Sequence, residues 1–233
     1  MNAPTPPSGS TPSSAAPMAD RLRDAALQTV REVGIAGVSA RTVAARAGVN
    51  QASIYYHFGS LHGLLTTASL AATEARVAVH RPRFAAVTTV SELVDLARAI
   101  HAEERALGNV TVLAQMLAGA QTDEQLAAPT AQAVQLWVVE VEATLDRLLA
   151  GTAVAELVDT RVLARGVSAA FVGTELLDGV DGDGVALPTL DALEQLGGVV
   201  QVVLDLGPVA STALRRWLER RTSRDRRSGP SEL

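Results

Sequence analysis

At 233 residues, 48% hydrophobic and 19% charged with a net charge of −5, the chain can bury a real core and reads as a soluble globular protein. It has no cysteine, which excludes disulfides, thiolate metal sites and cysteine redox sensing. Its longest apolar stretch, residues 196–210, is broken by Gln201 and Asp205, which argues against a membrane span.

Residues 1–17, MNAPTPPSGSTPSSAAP, have the composition of a disordered tail. They hold no basic stretch followed by an apolar one, so they are no secretory signal, and a cytoplasmic protein is expected. Residues 18–33 fit a first helix, with Leu22, Ala25, Ala26, Thr29 and Val33 along one stripe and Gly34 as its stop. Ser39 is placed to cap a short helix ending at Ala47. Gly48, Val49 and Asn50 then turn the chain into a second short helix through Phe58. Gly59 and Ser60 open a segment over about 61–80, expected to end before Pro82. Longer helices follow at 90–107, 109–120, 123–149, 155–178, 189–206 and 208–221. The clearest signal is 131–149, where Val134, Val138, Val141, Leu145 and Leu148 recur at three- and four-residue steps. Alternating strand patterns are absent, so the fold class is all-α.

Charge is unevenly spread. Residues 1–65 carry five arginines against three acids, residues 66–212 eight against nineteen, and residues 213–233 seven against three. A basic end on an acidic body places contact with a polyanion at the N-terminal part. All 20 basic residues are arginine, a bias that GC-rich codon usage explains without any function.

The segment ARTVAARAGVNQASIYYHF, residues 40–58, has helix-turn-helix spacing. Val43, Ala47, Val49 and Ile54 fall where two short crossed helices meet, Ala44 is small enough for close approach, and Gly48 sits at the tight turn. Asn50 can cap the second helix, whose N-terminal side chains then project as a recognition helix does into a major groove. Both tyrosines of the chain and one of its three phenylalanines lie within the four positions 55–58. Adjacent tyrosines on a helix point about 100° apart, so at least one must face outward.

Residues 20–65 resemble the N-terminal domain of the TetR family of one-component bacterial regulators, above all in the pattern AGV-x5-YYHF-x-S-x3-LL. The resemblance implies a three-helix DNA-binding domain over 18–65 and a larger helical ligand-binding and dimerisation domain over 66–221; the composition of residues 222–233 reads as a second disordered tail. By the same resemblance Arg41 matches a phosphate- or base-contacting position, and Gln51, Ala52 and Ser53 open the recognition helix. Gln51 is suited to a bidentate pair with an adenine edge, and Ala52 to contact with a thymine methyl. Tyr55 and His57 match positions that reach the DNA backbone, Tyr56 is expected to be partly buried and partly a phosphate contact, and Phe58 closes the small core. The family usually has a lysine at the position of Leu61; its loss removes a charge-assisted phosphate contact worth about 1–3 kcal/mol if buried. His62 or the Ser60 hydroxyl is expected to substitute in part.

The resemblance also implies a pocket among the middle helices. Its polar candidates are His80, Arg83, His101, Glu104, Gln115, Gln132 and Glu140, with Met116 and Trp137 as apolar walls. A homodimer is implied through the last helices, with Gly166, Ala170, Gly173 and Leu177 on one and Leu196, Val199 and Val203 on the other. Packing of those helices inside a single chain is the other reading. The Arg-rich stretch 215–227 is expected to be a solvated helix end and tail rather than a second nucleic-acid contact.

The sequence contains no nucleophile elbow, phosphate loop or metalloprotease motif, and His80 and His101 lack metal-ligand spacing. DGVDGDG, residues 178–184, fails the calcium-loop pattern, since aligning Gly184 puts Gly179 first and Leu190 last. No catalysis, cofactor or metal is expected. The expected function is a repressor that binds a palindromic double-stranded DNA operator and leaves it on binding a small molecule. The alternatives are a dimeric ligand-binding or interaction module with weakened DNA binding, and an activator or nucleoid-type binder.

Overall fold

The computed structural model describes residues 17–178, apart from 153, 156 and 157, together with 195, 197, 198 and 201. Among them eight α-helices follow one another without a strand: α1 (Met18–Val33), α2 (Ala40–Ala47), α3 (Ala52–Phe58), α4 (Leu61–Ala86), α5 (Val90–Ala106), α6 (Asn109–Ala120), α7 (Glu124–Leu149) and α8 (Thr160–Asp178). A single 3-10 turn, Ile35–Gly37, separates α1 from α2. No helix of the described residues is long and apolar enough to cross a membrane.

The helix ends follow from local chemistry. The Ser39 side chain accepts from the Thr42 amide while the Thr42 hydroxyl accepts from the Ser39 amide, a reciprocal cap on α2. Thr89 caps α5 and Asp123 caps α7 by a single bond each, accepting from an amide of the first turn. α1 buries Leu22, Ala25, Ala26, Leu27, Thr29 and Val30, and the Thr29 hydroxyl satisfies itself on the Ala25 carbonyl at 2.7 Å. Val33, expected on this stripe, is 54% exposed; Val30, one turn back, takes the inner face before Gly34 ends the helix.

Two boundaries differ from expectation. α4 does not stop before Pro82 but continues to Ala86. Proline removes one helical hydrogen bond, but Pro82 is exposed, while His80 and Phe84 on either side are buried and carry the helix across it. The helix expected from 155 begins at Thr160, where the Asp159 carboxylate accepts from the amides of Arg161 and Val162. Most of the helices expected at 189–206 and 208–221 lies outside the described residues, as do Leu196, Val199, Val203, the loop after Asp178 and both tails. Gln195, Gly197, Gly198 and Gln201 are helical, and the Gln201 side chain accepts from the Val90 amide at 3.3 Å.

Among the described residues the interior has two apolar clusters. One gathers Leu22 and Val30 of α1, Val43 of α2, Ile54 of α3 and Leu64 of α4, and it takes in Val112 and Met116 of α6 and Leu126 of α7. The other joins Phe84, Leu93, Leu96 and Ile100 to Val138 and Leu145 of α7 and Ala164 of α8. Full burial of each such Leu or Ile stabilises by about 1.5–3 kcal/mol. α4 packs most extensively on α7 and also meets α1 and α3, so it links the small N-terminal head to the body.

Candidate nucleic-acid interface and interior pocket

The turn between α2 and α3 rests on Gly48, which is left-handed at φ 64° and ψ 39°. A side chain is disfavoured in that region, so glycine lets the two helices cross. Arg21 of α1 donates to the Ala47 carbonyl at 2.5 Å, filling one orphan acceptor at the end of α2. Asn50 Oδ1 accepts from the Ala52 amide at 2.8 Å, capping the first turn of α3.

α3 turns Ile54 and Phe58, four residues apart, towards the core; Ile54 is fully buried and Phe58 packs beneath the Arg23 guanidinium, 5.7 Å from its ring centroid. The outer face then carries Gln51, Ala52, Tyr55, Tyr56 and His57, all exposed, with Ser53 half-buried and Arg41 exposed on α2. Tyr56 is 86% exposed and Tyr55 51%, so the expectation of partial burial for Tyr56 is corrected. Once Ile54 and Phe58 claim the inner face, the three residues between them must look outward. Of the aromatic group, only Phe58 packs against the core.

Both residues expected to substitute for the missing lysine have partners within the fold. The Ser60 hydroxyl accepts from the Gly63 amide at 2.9 Å as the cap of α4. His62 Nε2 lies 2.7 Å from Asp123 Oδ2 at the start of α7. Leu61 packs against the head core.

Behind the head, helices α1 and α4–α8 line a partly open cavity of about 170 Å³. Apolar residues dominate its wall, among them Phe84, Leu93, Met116, Trp137 and Phe171. Its polar end brings together Arg31 of α1, Arg76 of α4, Glu104 of α5 and Asn109 of α6. Arg76 Nε donates to Glu104 Oε1 at 2.6 Å, Asn109 Nδ2 donates to Glu104 Oε2 at 2.6 Å, and Arg31 Nη2 donates to Asn109 Oδ1 at 2.9 Å. Arg31 Nε also donates to the Gly108 carbonyl at 3.3 Å, so this chain fastens α1 to the turn between α5 and α6. A second fastening is the Ile35 amide, which donates to Gln115 Oε1 at 2.9 Å.

Of the nine pocket residues expected from sequence, Glu104, Met116 and Trp137 line the cavity. His80 is fully buried behind that wall, 3.2 Å from Glu104 and with its ring centroid 5.6 Å from that of Trp137. Arg83 lies outside, donating to Glu103 at 2.8 Å; this bond holds the Glu103 carboxyl below its ordinary value, against a smaller opposing effect of burial. Gln115 faces the head, Glu140 pairs with Arg81 at 2.7 Å, Gln132 is exposed, and His101 packs edge-on to Phe171. Sequence reading missed Arg31, Arg76, Asn109, Thr130 and Ser168, because no spacing along one helix relates residues that converge from five.

On α8, Val162, Gly166, Ala169, Ala170, Leu176 and Leu177 form an exposed apolar stripe, with Gly173 half-buried within it. A Cβ added at Gly166 or Gly173 would meet nothing within 4 Å.

Residues 22–68 match the profile of the bacterial regulatory proteins of the tetR family. A comparison with curated proteins found no match. Among solved structures, one from Rhodococcus sp. ascribed to the TetR-family transcriptional regulators has 23% identity and a TM-score of 0.63, covering 81% of this chain and 98% of that one. The fatty acid degradation regulator FadR from Bacillus halodurans has 18% identity and a TM-score of 0.63, covering 79% and 96%. FadR from Bacillus subtilis, solved with stearoyl-CoA, has 14% identity and a TM-score of 0.61, covering 76% and 96%. With its helix-turn-helix at residues 40–58 and its helical body, the chain carries a TetR-family DNA-binding domain on the fold of TetR-family transcriptional regulators.

Proposed function

We propose that this protein is a homodimeric repressor that binds a palindromic operator in the cytoplasm and is released from it by a small molecule, without catalysis. The exposed N-terminal end of α3 carries the reading: Gln51, Ala52 and Ser53 project ahead of Tyr55, Tyr56 and His57 from a helix fixed by Ile54 and Phe58. In this arrangement Gln51 reads a base edge, and Arg41, Tyr55, Tyr56 and His57 hold the sugar-phosphate backbone. The exposed α8 stripe supports an isologous dimer, which sets two recognition helices for successive major grooves about 34–36 Å apart. A chain of similar fold is known with stearoyl-CoA bound, and the cavity behind the head gives a ligand a place from which to act. Such a ligand shifts the equilibrium only by binding the DNA-incompetent state more tightly.

The test is a selection of genomic fragments on the purified protein at two salt concentrations, with Gln51→Ala beside wild type. A short palindromic consensus should emerge in the wild type and blur at one position of each half-site in the variant. Loss of one bidentate pair costs about 1–3 kcal/mol of discrimination. Absence of any enriched sequence would favour the alternative of a ligand-binding module with a weakened head, motivated by Leu61 in place of a cation.

A further inference from the structure

Among the described residues, Arg31 sits at the polar end of the cavity with no carboxylate of its own. Its bonds go to the Gly108 carbonyl and the Asn109 side-chain oxygen, both uncharged acceptors. Glu104, the carboxylate at this end of the cavity, is matched by Arg76 at 2.6 Å. Asn109 stands between the two, accepting from Arg31 and donating to Glu104, so it links the groups without neutralising Arg31. The remaining charges nearby are balanced, since Arg83 pairs with Glu103 at 2.8 Å, with His80 between Arg76 and Arg83. An apolar cavity thus ends in one unmatched, half-buried guanidinium.

A second observation points to an occupant. Thr130 and Ser168, 3% and 8% exposed, are among the residues around the same cavity, and neither hydroxyl has a hydrogen-bond partner among the described residues. Other helical threonines settle their hydroxyls on the carbonyl four residues back: Thr29 at 2.7 Å, Thr73 at 2.9 Å, Thr144 at 2.8 Å and Thr174 at 3.0 Å. A buried hydroxyl left unpaired is costly and rare, and two on residues of one cavity wall mark that wall as incompletely satisfied as it stands.

We propose that the cavity takes a compact apolar acid, with its carboxylate on Arg31 and an aromatic or branched aliphatic body against Phe84, Trp137 and Phe171. The size follows from the volume: a cavity of about 150 Å³ accommodates benzene, so one ring with a short acidic arm, on the order of ten heavy atoms, suits the space here. The acid class follows from the unmatched charge, which in a low-dielectric site favours an anion over its neutral isostere. The consequence for regulation, which rests on the repressor reading above, lies in what the carboxylate displaces. It competes for Arg31 with Gly108 and Asn109, the contacts that tie α1 of the head to the α5–α6 turn. Acid binding and the tied head then oppose each other, and by linkage the operator weakens the acid by the same factor as the acid weakens the operator.

The test is titration calorimetry on the full chain with phenylacetate, phenylacetamide, cyclohexanecarboxylate and decanoate. Phenylacetate should bind at least about tenfold tighter than its amide, the size of one charge-assisted bond. Arg31→Gln should abolish that preference and Arg31→Lys should keep most of it, a pattern that mere loosening of the fold does not produce. Equal binding of acid and amide, no binding by either compact acid, tighter binding of decanoate, or an unchanged preference in Arg31→Gln would each overturn the proposal. Operator recognition without acid binding would remove the acid and leave the repressor. Acid binding through Arg31 without operator recognition would do the reverse.

Discussion

Gly63 is the position at which the structure makes its sharpest quantitative demand. It lies in the first turn of α4, and a Cβ built on it would stand 2.3 Å from the Phe58 carbonyl oxygen. Replacing glycine by alanine in a helix ordinarily stabilises by up to about 1 kcal/mol. Here the obstructing atom is backbone at the end of α3, so no side-chain rotation relieves it, and α3 must move away from α4. Overpacking of this kind costs up to about 3 kcal/mol. The net expectation for Gly63→Ala is a loss of about 2 kcal/mol, or a melting point lower by about 4–8 °C in a chain of this size. Because the displaced element is the helix proposed to read the operator, operator affinity should fall by more than stability alone explains at a temperature where the variant is fully folded. Paired thermal unfolding and operator titration would measure both. A melting point equal to or above wild type would refute the reasoning, since it would mean that the α3–α4 corner yields freely.

If the exposed α8 stripe is the proposed dimer contact, Gly173→Leu or Gly166→Leu should leave the monomer fold intact but shift the dimer towards monomer, as light scattering across a dilution series would show; an unchanged mass would place the dimer contact elsewhere. Glu103 has its carboxyl lowered from the ordinary value of 4.5 chiefly by the Arg83 hydrogen bond. Its stabilisation is therefore present above that value and fades as pH falls through the lowered one. Glu103→Gln should lower the melting point slightly at pH 7, and the difference should shrink as pH falls through the lowered value; a difference that does not shrink on acidification would assign the effect to packing.

The head was legible in the sequence because each of its devices is local. Ser39 with Thr42, Gly48 and Asn50 announce their turns from within a few residues, and the spacing of Val43, Ala47 and Ile54 records one small core. Tyr56 was misplaced because the sequence shows that two neighbours diverge, not which of them the core takes; Ile54 and Phe58 take it and exclude both tyrosines. Pro82 misled for a similar reason, since the penalty of proline is local while the burial of His80 and Phe84 that outweighs it is tertiary. The pocket was least visible. Arg31 reads as an ordinary basic residue in the last turn of α1, and Asn109 as a helix start, until folding sets the two 2.9 Å apart.

Val112, Met116 and Leu126 complete the hydrophobic core beneath the helix-turn-helix although they come from the body. The head is therefore not a detachable cassette. A chimera built by moving residues 18–65 onto another body would leave the inner faces of α1 and α4 against foreign side chains. A functional transplant must carry the inward face of α6 and the first turn of α7 with it. The same shared core makes a separate melting transition for the head unavailable, so heating should unfold the reading end and the body together.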